Sequence, residues 1–286
     1  MPEPRIDPGR PLLCVRGLRK VYRMRGGLPW RPAREVVAVD GVDLDVMPGR
    51  TLGLVGASGS GKSTIGRCVL RLVEPTSGSV ELGGVDMLSL GRSELRGFRR
   101  HAQIIFQDPY SSLNPRLTVG AALEEPLRVH GVGDRASRAR RVRELLEMVG
   151  LRPSHADRYP HEFSGGQRQR IGIARALALD PRLIVADEPV SALDVSVQAQ
   201  VLNLLARLQR ELGLSMLFIA HDLAVVEHVS HEVAVLDAGR VVERGSVDEV
   251  IARPQHEVTR RLRNAIPDGA LGREFGSGAD PGSAIP

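Results

Sequence analysis

The chain has 286 residues, a 42% hydrophobic composition that can furnish a real core, and a formal net charge of +5. Two cysteines, Cys14 and Cys68, exclude a disulfide framework or a four-cysteine cluster, and no apolar run approaches the roughly 20 residues that span a bilayer. Aromatic residues make up only 3%, too few for base-stacking platforms, so no nucleic-acid partner is expected despite the basic charge.

The start, Met1-Pro-Glu-Pro-Arg5, lacks the apolar segment of a signal peptide, so the chain is expected to stay where it is made with both cysteines unpaired. Leu12-Leu-Cys-Val15 reads as a strand, followed by Arg16 to Tyr22. Arg23 to Arg34, rich in Gly, Pro and Arg, reads as an exposed loop between antiparallel strands. Val36 to Val46 alternates apolar and polar residues and ends at Met47-Pro-Gly49, a turn signal.

The next stretch organises the rest. An apolar strand, Thr51-Leu-Gly-Leu-Val55, runs into Gly56-Ala57-Ser58-Gly59-Ser60-Gly61-Lys62-Ser63-Thr64, and a helical pattern follows from Ile65 to Leu72. This fits G-x-x-x-x-G-K-[ST], in which glycines let backbone N–H groups wrap a phosphate and the helix N-terminus faces the same anion. Lys62 is placed to reach the β- and γ-phosphates and the Ser63 hydroxyl to ligate Mg²⁺. A Gly/Ser-rich surface turn would match the composition, but not the strand before and the helix after. Lys62 and Lys20 are, moreover, the only lysines in a chain that otherwise uses arginine.

Beyond a turn at Pro75 to Gly78, Ser79 to Leu82 and Gln103 to Phe106 read as short strands. From Asp108 to about Leu179 amphipathic patterns, Val119 to His130 and Arg138 to Val149, replace strands and read as an inserted helical subdomain. Strand character returns at Arg182 to Ala186, a helix is expected over Val195 to Leu212, and a second buried strand over Ser215 to Ala220. A helix from Asp222, a hairpin turning on Ala238-Gly239 and a capping box at Ser246-Val-Asp-Glu249 complete the pattern, with a disordered tail expected from about residue 268.

Two further stretches carry chemistry. Asp187 and Glu188 end a buried strand, on the side where ligands collect in open α/β sheets, so Asp187 is placed to hold Mg²⁺ and Glu188 to orient or deprotonate a water. Ser164 caps a helix whose first turn holds Gly165 and Gly166, an anion site or simply a cap.

With these motifs in this order, the chain resembles the ATP-binding subunit of an ABC transporter from Leu12 to about Pro267. The resemblance implies an α/β fold: a phosphate-loop (RecA-like) core over 1–107 and 177–245 with an antiparallel β subdomain, an inserted α-helical subdomain over 108–176, and a C-terminal extension over 246–286. It identifies Ser164-Gly165-Gly166-Gln167 with the family's signature motif, acting in trans on a partner's nucleotide. Gln107 becomes the glutamine that links the γ-phosphate and Mg²⁺ to the membrane partner. Ser191-Ala-Leu-Asp194 is similar to the loop that crosses the dimer interface, His221 matches the switch histidine that contacts the γ-phosphate, and Tyr22 aligns with the aromatic that stacks on adenine.

Longer stretches narrow the resemblance. Gln107 to Pro115, Arg158 to Gln167 and Asp187 to Gln198 look like the dipeptide/oligopeptide importer ATPases, of the second-subunit type, and Phe163 in place of leucine fits that group. His256-Glu-Val-Thr259 departs from the group's His-Pro-Tyr-Thr, and the cysteine cluster of some members is missing. The resemblance implies an ATPase with ATP and Mg²⁺ as cofactors, peripheral on the cytoplasmic face of the membrane. Its partners would be a second ATP-binding subunit, a sister rather than an identical chain, two integral membrane permeases and, indirectly, an extracytoplasmic solute-binding protein. Residues 107–119 are the expected docking surface. Rival readings are an importer ATPase for another solute, a soluble ABC ATPase of DNA repair or translation, a phosphate-loop kinase, and a non-hydrolytic basic binding protein.

Overall fold

The computed structural model describes residues 3–24, 34–108 and 113–266. Most of the loop expected between Arg23 and Arg34, part of the expected docking surface and the expected tail lie outside the described residues. In chain order the elements are β1 (Leu13–Met24), β2 (Arg34–Val46), β3 (Thr51–Gly56), α1 (Lys62–Val69), β4 (Ser77–Leu82), β5 (Val85–Asp86), α2 (Arg92–Phe98) and β6 (Ala102–Ile105). There follow α3 (Val119–Val129), α4 (Arg135–Met148), α5 (Gly165–Leu177), β7 (Leu183–Asp187), α6 (Val195–Leu212), β8 (Ser215–Ala220), α7 (Leu223–Val229), β9 (Glu232–Asp237), β10 (Arg240–Ser246), α8 (Val247–Ala252) and α9 (Glu257–Asn264).

The strands among the described residues form two sheets. One has the order β10-β9-β3-β8-β7-β6, with neighbours parallel from β9 to β6 and β10 antiparallel at the edge. The other is antiparallel, β2-β1-β4-β5. The fold is α/β, with a phosphate-loop core and an antiparallel β sheet beside it.

Why the central strands read as continuous apolar runs is visible in their two faces. On β7, Leu183 and Val185 join the core shared with α1 and the antiparallel sheet, while Ile184 and Ala186 join the core under the helices from α3 onward. On β8, Leu217 and Ile219 face the first side and Met216, Phe218 and Ala220 the second. A strand covered on both faces has no polar side to show. Fully burying a side chain such as Phe218, which has no exposed surface, stabilises the fold by roughly 1.5–3 kcal/mol.

α1 lies close on these strands because Gly66 has no side chain; a Cβ there would stand 2.9 Å from both Ile219 Cδ1 and Val185 Cγ1. This seating brings the helix after the phosphate loop against the strand that ends in Asp187. The helix is shorter than its apolar pattern predicts, since Arg71 adopts a positive φ of 49° and the chain turns away. β1 runs on to Met24, the predicted turn at Ser77 and Gly78 is already part of β4, and three elements escaped the sequence pattern: β5, α2 and α9. The last is held by Glu243, which accepts hydrogen bonds from Gln255 N at 2.8 Å, His256 N at 2.9 Å and Thr259 Oγ1.

Candidate nucleotide site

β3 delivers the loop from the middle of the sheet, and neighbouring backbone fixes its shape. Ser60 N donates to Ala57 O at 3.1 Å, and Gly239 N, in the β9–β10 turn, donates to Ser60 O at 3.0 Å. Gly61 has φ 106°, and a Cβ on it would lie 2.2 Å from Ala38 O on β2, so only glycine fits this junction. Ala57, Ser58 and Gly59 stay exposed, while Ser63 and Thr64 are half-buried at the start of α1. That helix begins without a side-chain cap and with no acidic residue in its first turn, which leaves its positive end open to an anion.

Lys62 is nearly buried. Its Nζ donates to Gly56 O and Ala57 O, each at 2.8 Å. Burial lowers its pKa, against the upward pull of Glu188 and Asp187. The lysine is thus positioned by the loop's own carbonyls, within the concavity that a phosphate would enter.

Across from the loop, the end of β7 gathers the other groups. Ser63 Oγ donates to Asp187 Oδ1 at 2.6 Å, and Arg67 Nη2 stands 3.9 Å from Asp187 Oδ2. Burial raises the Asp187 pKa, while the Ser63 hydrogen bond and the Arg67 charge oppose the shift. Glu188 Oε2 accepts from Gln107 Nε2 at 3.2 Å and lies 3.3 Å from His221 Nδ1. Its backbone has φ 47°, a conformation that costs a non-glycine residue of order 1–3 kcal/mol. Hydrogen bonds hold it there: Glu188 N donates to Ile219 O at 3.0 Å, and Ser191 Oγ donates to Glu188 O at 3.1 Å.

The structure therefore brings Gly56 to Thr64, Gln107, Asp187, Glu188, Ser191 and His221 into one neighbourhood. Among the described residues, the side chains of Ser164 and Gln167 bond to each other's backbone N–H and not to these groups, and a Cβ on Gly165 would lie 3.4 Å from Leu193 Cδ2. Ser164 caps α5 in a reciprocal box, Ser164 Oγ accepting from Gln167 N at 3.3 Å and Ser164 N donating to Gln167 Oε1 at 3.1 Å. Gly166 packs on the first turn of α6, where a Cβ would meet Val197 Cγ1 at 2.3 Å. Asp194 begins α6 without a side-chain cap bond, and Val195 beside it is 61% exposed. Tyr22 pairs with Val36 on β2, two residues before Ala38, the residue that touches Gly61. Its ring is exposed and carries Lys20 Nζ 5.0 Å from its centroid. Arg67 was missed from the sequence; its signal is the four-residue spacing from Ser63, which puts both on one helix face.

The donor set fits a magnesium–phosphate group. One hydroxyl and one buried carboxylate meet at 2.6 Å, and among the described residues no cluster of three or more His, Cys, Asp or Glu is placed to hold a metal by itself. Mg²⁺ is commonly bound in this way, by one or two protein oxygens with substrate phosphates completing its shell.

The ABC transporter family model matches residues 39–191, just over half of the chain. A protein of Brucella ovis provisionally named a peptide import ATP-binding protein is 53% identical over 280 residues, covering 96% of this chain and 86% of that one. The chain belongs to the ABC transporter family. Glutathione import ATP-binding protein GsiA of Salmonella paratyphi A is 58% identical over 262 residues, 92% of this chain but 42% of that protein, so the chain spans less than half of GsiA. Among solved ABC structures, a dimeric ATP-binding cassette in a post-hydrolysis state with ADP and Pi matches with TM-score 0.72 and 32% identity, covering 82% of this chain and 98% of that one. The cbiO1 protein of Clostridium perfringens, part of the ABC transporter complex cbiONQ, matches with TM-score 0.74 and 25% identity over 91% of this chain and 98% of that one. Among the described residues no helix is long and apolar enough to cross a membrane.

Proposed function

We propose that the chain is the ATP-hydrolysing subunit of a membrane importer for peptides or a related small solute, held at the cytoplasmic face by two permease subunits. The observation that carries this reading is the convergence of Gln107 and His221 on Glu188 Oε2, at 3.2 and 3.3 Å, next to the Ser63–Asp187 pair. The names of the relatives, glutathione import and peptide import, support the solute class. An open groove of about 570 Å³ beside Phe106, lined also by Val129 and Arg175, supports permease docking close to Gln107.

In this reading residues 1–107 and 177–245 form the ATP-binding unit, 108–176 the signature unit and 246–286 an extension. Tyr22 stacks on the adenine, and Lys62 turns from the carbonyls of Gly56 and Ala57 to the phosphate oxygens. Ser63, Asp187 and Gln107 would hold Mg²⁺, which supplies neutralising charge to those oxygens when bound. Glu188 orients the attacking water and accepts its proton as the new oxygen–phosphorus bond forms and the bond to the ADP oxygen breaks. His221 steadies the γ-phosphate end of the same group.

Ser164, Gly165 and Gly166 have no bond to their own phosphate loop, which supports a role on the nucleotide held by a second ATP-binding subunit, with Ser191 and Asp194 at the interface. Nucleotide between the two subunits favours the closed pair, and loss of the γ-phosphate releases it. The resemblance to the two-ATPase importers favours a sister subunit as the partner, with a solute-binding protein outside.

The test is uptake of a labelled dipeptide or glutathione by cells lacking the chain. Wild-type protein should restore uptake and Glu188→Gln should not. Equal restoration by both, or phosphate transfer to a metabolite in place of phosphate release, overturns the reading.

A further inference from the structure

Asp187 keeps only 4% of its side chain exposed, and its two oxygens are held differently. Ser63 Oγ donates to Oδ1 at 2.6 Å, whereas Arg67 Nη2 faces Oδ2 from 3.9 Å. Ser63 and Arg67 are four residues apart on α1, and the close seating of that helix through Gly66 aims their shared face at the end of β7. Asp187 is the one acidic group in ion-pair contact with Arg67 among the described residues, and 52% of the arginine side chain remains in solvent. The contact is therefore a counter-charge on a long arm that can be withdrawn, unlike the hydroxyl bond beside it.

We propose that Arg67 is a positioning residue that shields Asp187 from a free divalent cation and yields it when the cation arrives with phosphate. This rests on the function proposed above, and specifically on Ser63 and Asp187 as cation ligands. Lys62 lies in the field of both Asp187 and Glu188, and Arg67 in that of Asp187, so the group sets two positive charges against two negative ones and offers no net attraction to a lone cation. A bare ion must displace Arg67 from Oδ2 and the Ser63 proton from Oδ1, and then sit beside two positive groups. A cation already bound to phosphate brings negative charge that Lys62 and Arg67 both attract. The guanidinium can pass from carboxylate to phosphate without leaving the site, since its planar fork suits either. The device would keep the carboxylate ordered between turnovers while reserving it for the metal–nucleotide complex.

The experiment titrates Mn²⁺ into nucleotide-free protein and follows loss of the free-ion electron paramagnetic resonance signal. Arg67→Met should bind Mn²⁺ roughly tenfold more tightly than wild type, the size expected for removing one charge close to a divalent ion in a half-exposed setting. Arg67→Lys, which keeps the charge, should stay within about threefold of wild type by the same reasoning. Adding Asp187→Asn to Arg67→Met should erase the gain. Mn²⁺ binding to Arg67→Met at wild-type strength or weaker overturns the proposal, as does a gain that survives Asp187→Asn. A parallel measurement of labelled ATP retained by wild type with and without Mn²⁺ separates the two levels. ATP retention that Mn²⁺ increases, with Arg67→Met unchanged, sinks the role of Arg67 alone; ATP retention indifferent to Mn²⁺ removes the cation site and with it both readings.

Discussion

His221 Nδ1 lies 3.3 Å from Glu188 Oε2, an oxygen that also accepts the Gln107 amide at 3.2 Å. These three residues come from the ends of β6, β7 and β8, which are neighbours in the parallel sheet. One oxygen is thus approached by two groups whose positions depend on separate strands. Converting Glu188 to Gln keeps the shape and removes the base of the proposed mechanism. Glu188→Gln is expected to retain ATP, to lower phosphate release by about 10²- to 10⁴-fold, and to accumulate an ATP-bound dimer on a sizing column. Hydrolysis near the wild-type rate would remove Glu188 from the chemistry.

The signature role proposed for the start of α5 makes a prediction of a different kind, because Ser164 bonds to Gln167 and not to the phosphate loop of its own chain. Ser164→Arg should stop hydrolysis by the assembled pair while isolated monomer binds fluorescent ATP as the wild type does. The cap itself is worth about 1 kcal/mol, so Ser164→Ala serves as the control that loses the cap without adding bulk at the start of α5. Loss of nucleotide binding by the Ser164→Arg monomer would contradict action across an interface.

The parts of this site that the sequence revealed are those written in local terms. β8 and α6 match their expected bounds, Ser215–Ala220 and Val195–Leu212, because an apolar run covered on both faces and a long helical repeat leave few alternatives. The Ala238-Gly239 turn and the Ser246–Glu249 capping box are likewise local chemistry. The four-residue spacing puts Arg67 on the Ser63 face, but its proximity to Asp187 requires α1 to pack on β7, a contact between residues 120 positions apart. α9 was invisible because its residues, Glu-Val-Thr-Arg-Arg-Leu-Arg-Asn, are mostly polar and its anchor, Glu243, lies on another element. The position of Lys62 on the carbonyls of Gly56 and Ala57 also depends on how the loop is bent, which the motif alone does not specify.

The junction at Gly61 joins three elements. Its Cα faces Ala38 O on β2, and Gly239 of the β9–β10 turn bonds to Ser60 O on one side and to Asp40 N on the other, while Arg240 Nη2 reaches Asp40 Oδ2 at 2.6 Å. Gly61→Ala must therefore adopt a positive φ and push β2 away. It should lower unfolding stability by roughly 2 kcal/mol, read as a shift in urea midpoint, and should abolish ATP binding even at temperatures where the protein stays folded. Wild-type affinity in a folded Gly61→Ala protein would mean that the loop tolerates displacement from β2.

Glu243 supplies a pH-dependent staple for the last helix. Burial alone would raise its pKa, but the amides of Gln255 and His256 and the Thr259 hydroxyl outweigh burial and hold it below the usual glutamate value. A depressed carboxyl contributes stability that is fully present above the unfolded pKa of about 4.3 and is lost as pH falls through the still lower folded value. Between neutral pH and about 5 the contribution of Glu243 to the docking of α9 should accordingly be constant, and it should weaken only in more acidic solution. Glu243→Gln removes the charge at every pH, so amides of residues 255–264 should exchange about tenfold faster in the variant at pH 7, as expected for loss of one charge-assisted anchor. The difference between the two proteins should shrink towards pH 3 as the wild-type carboxyl takes up a proton. A variant with wild-type protection at pH 7 would show that α9 is held by Val258 and Leu262 against the core and not by Glu243.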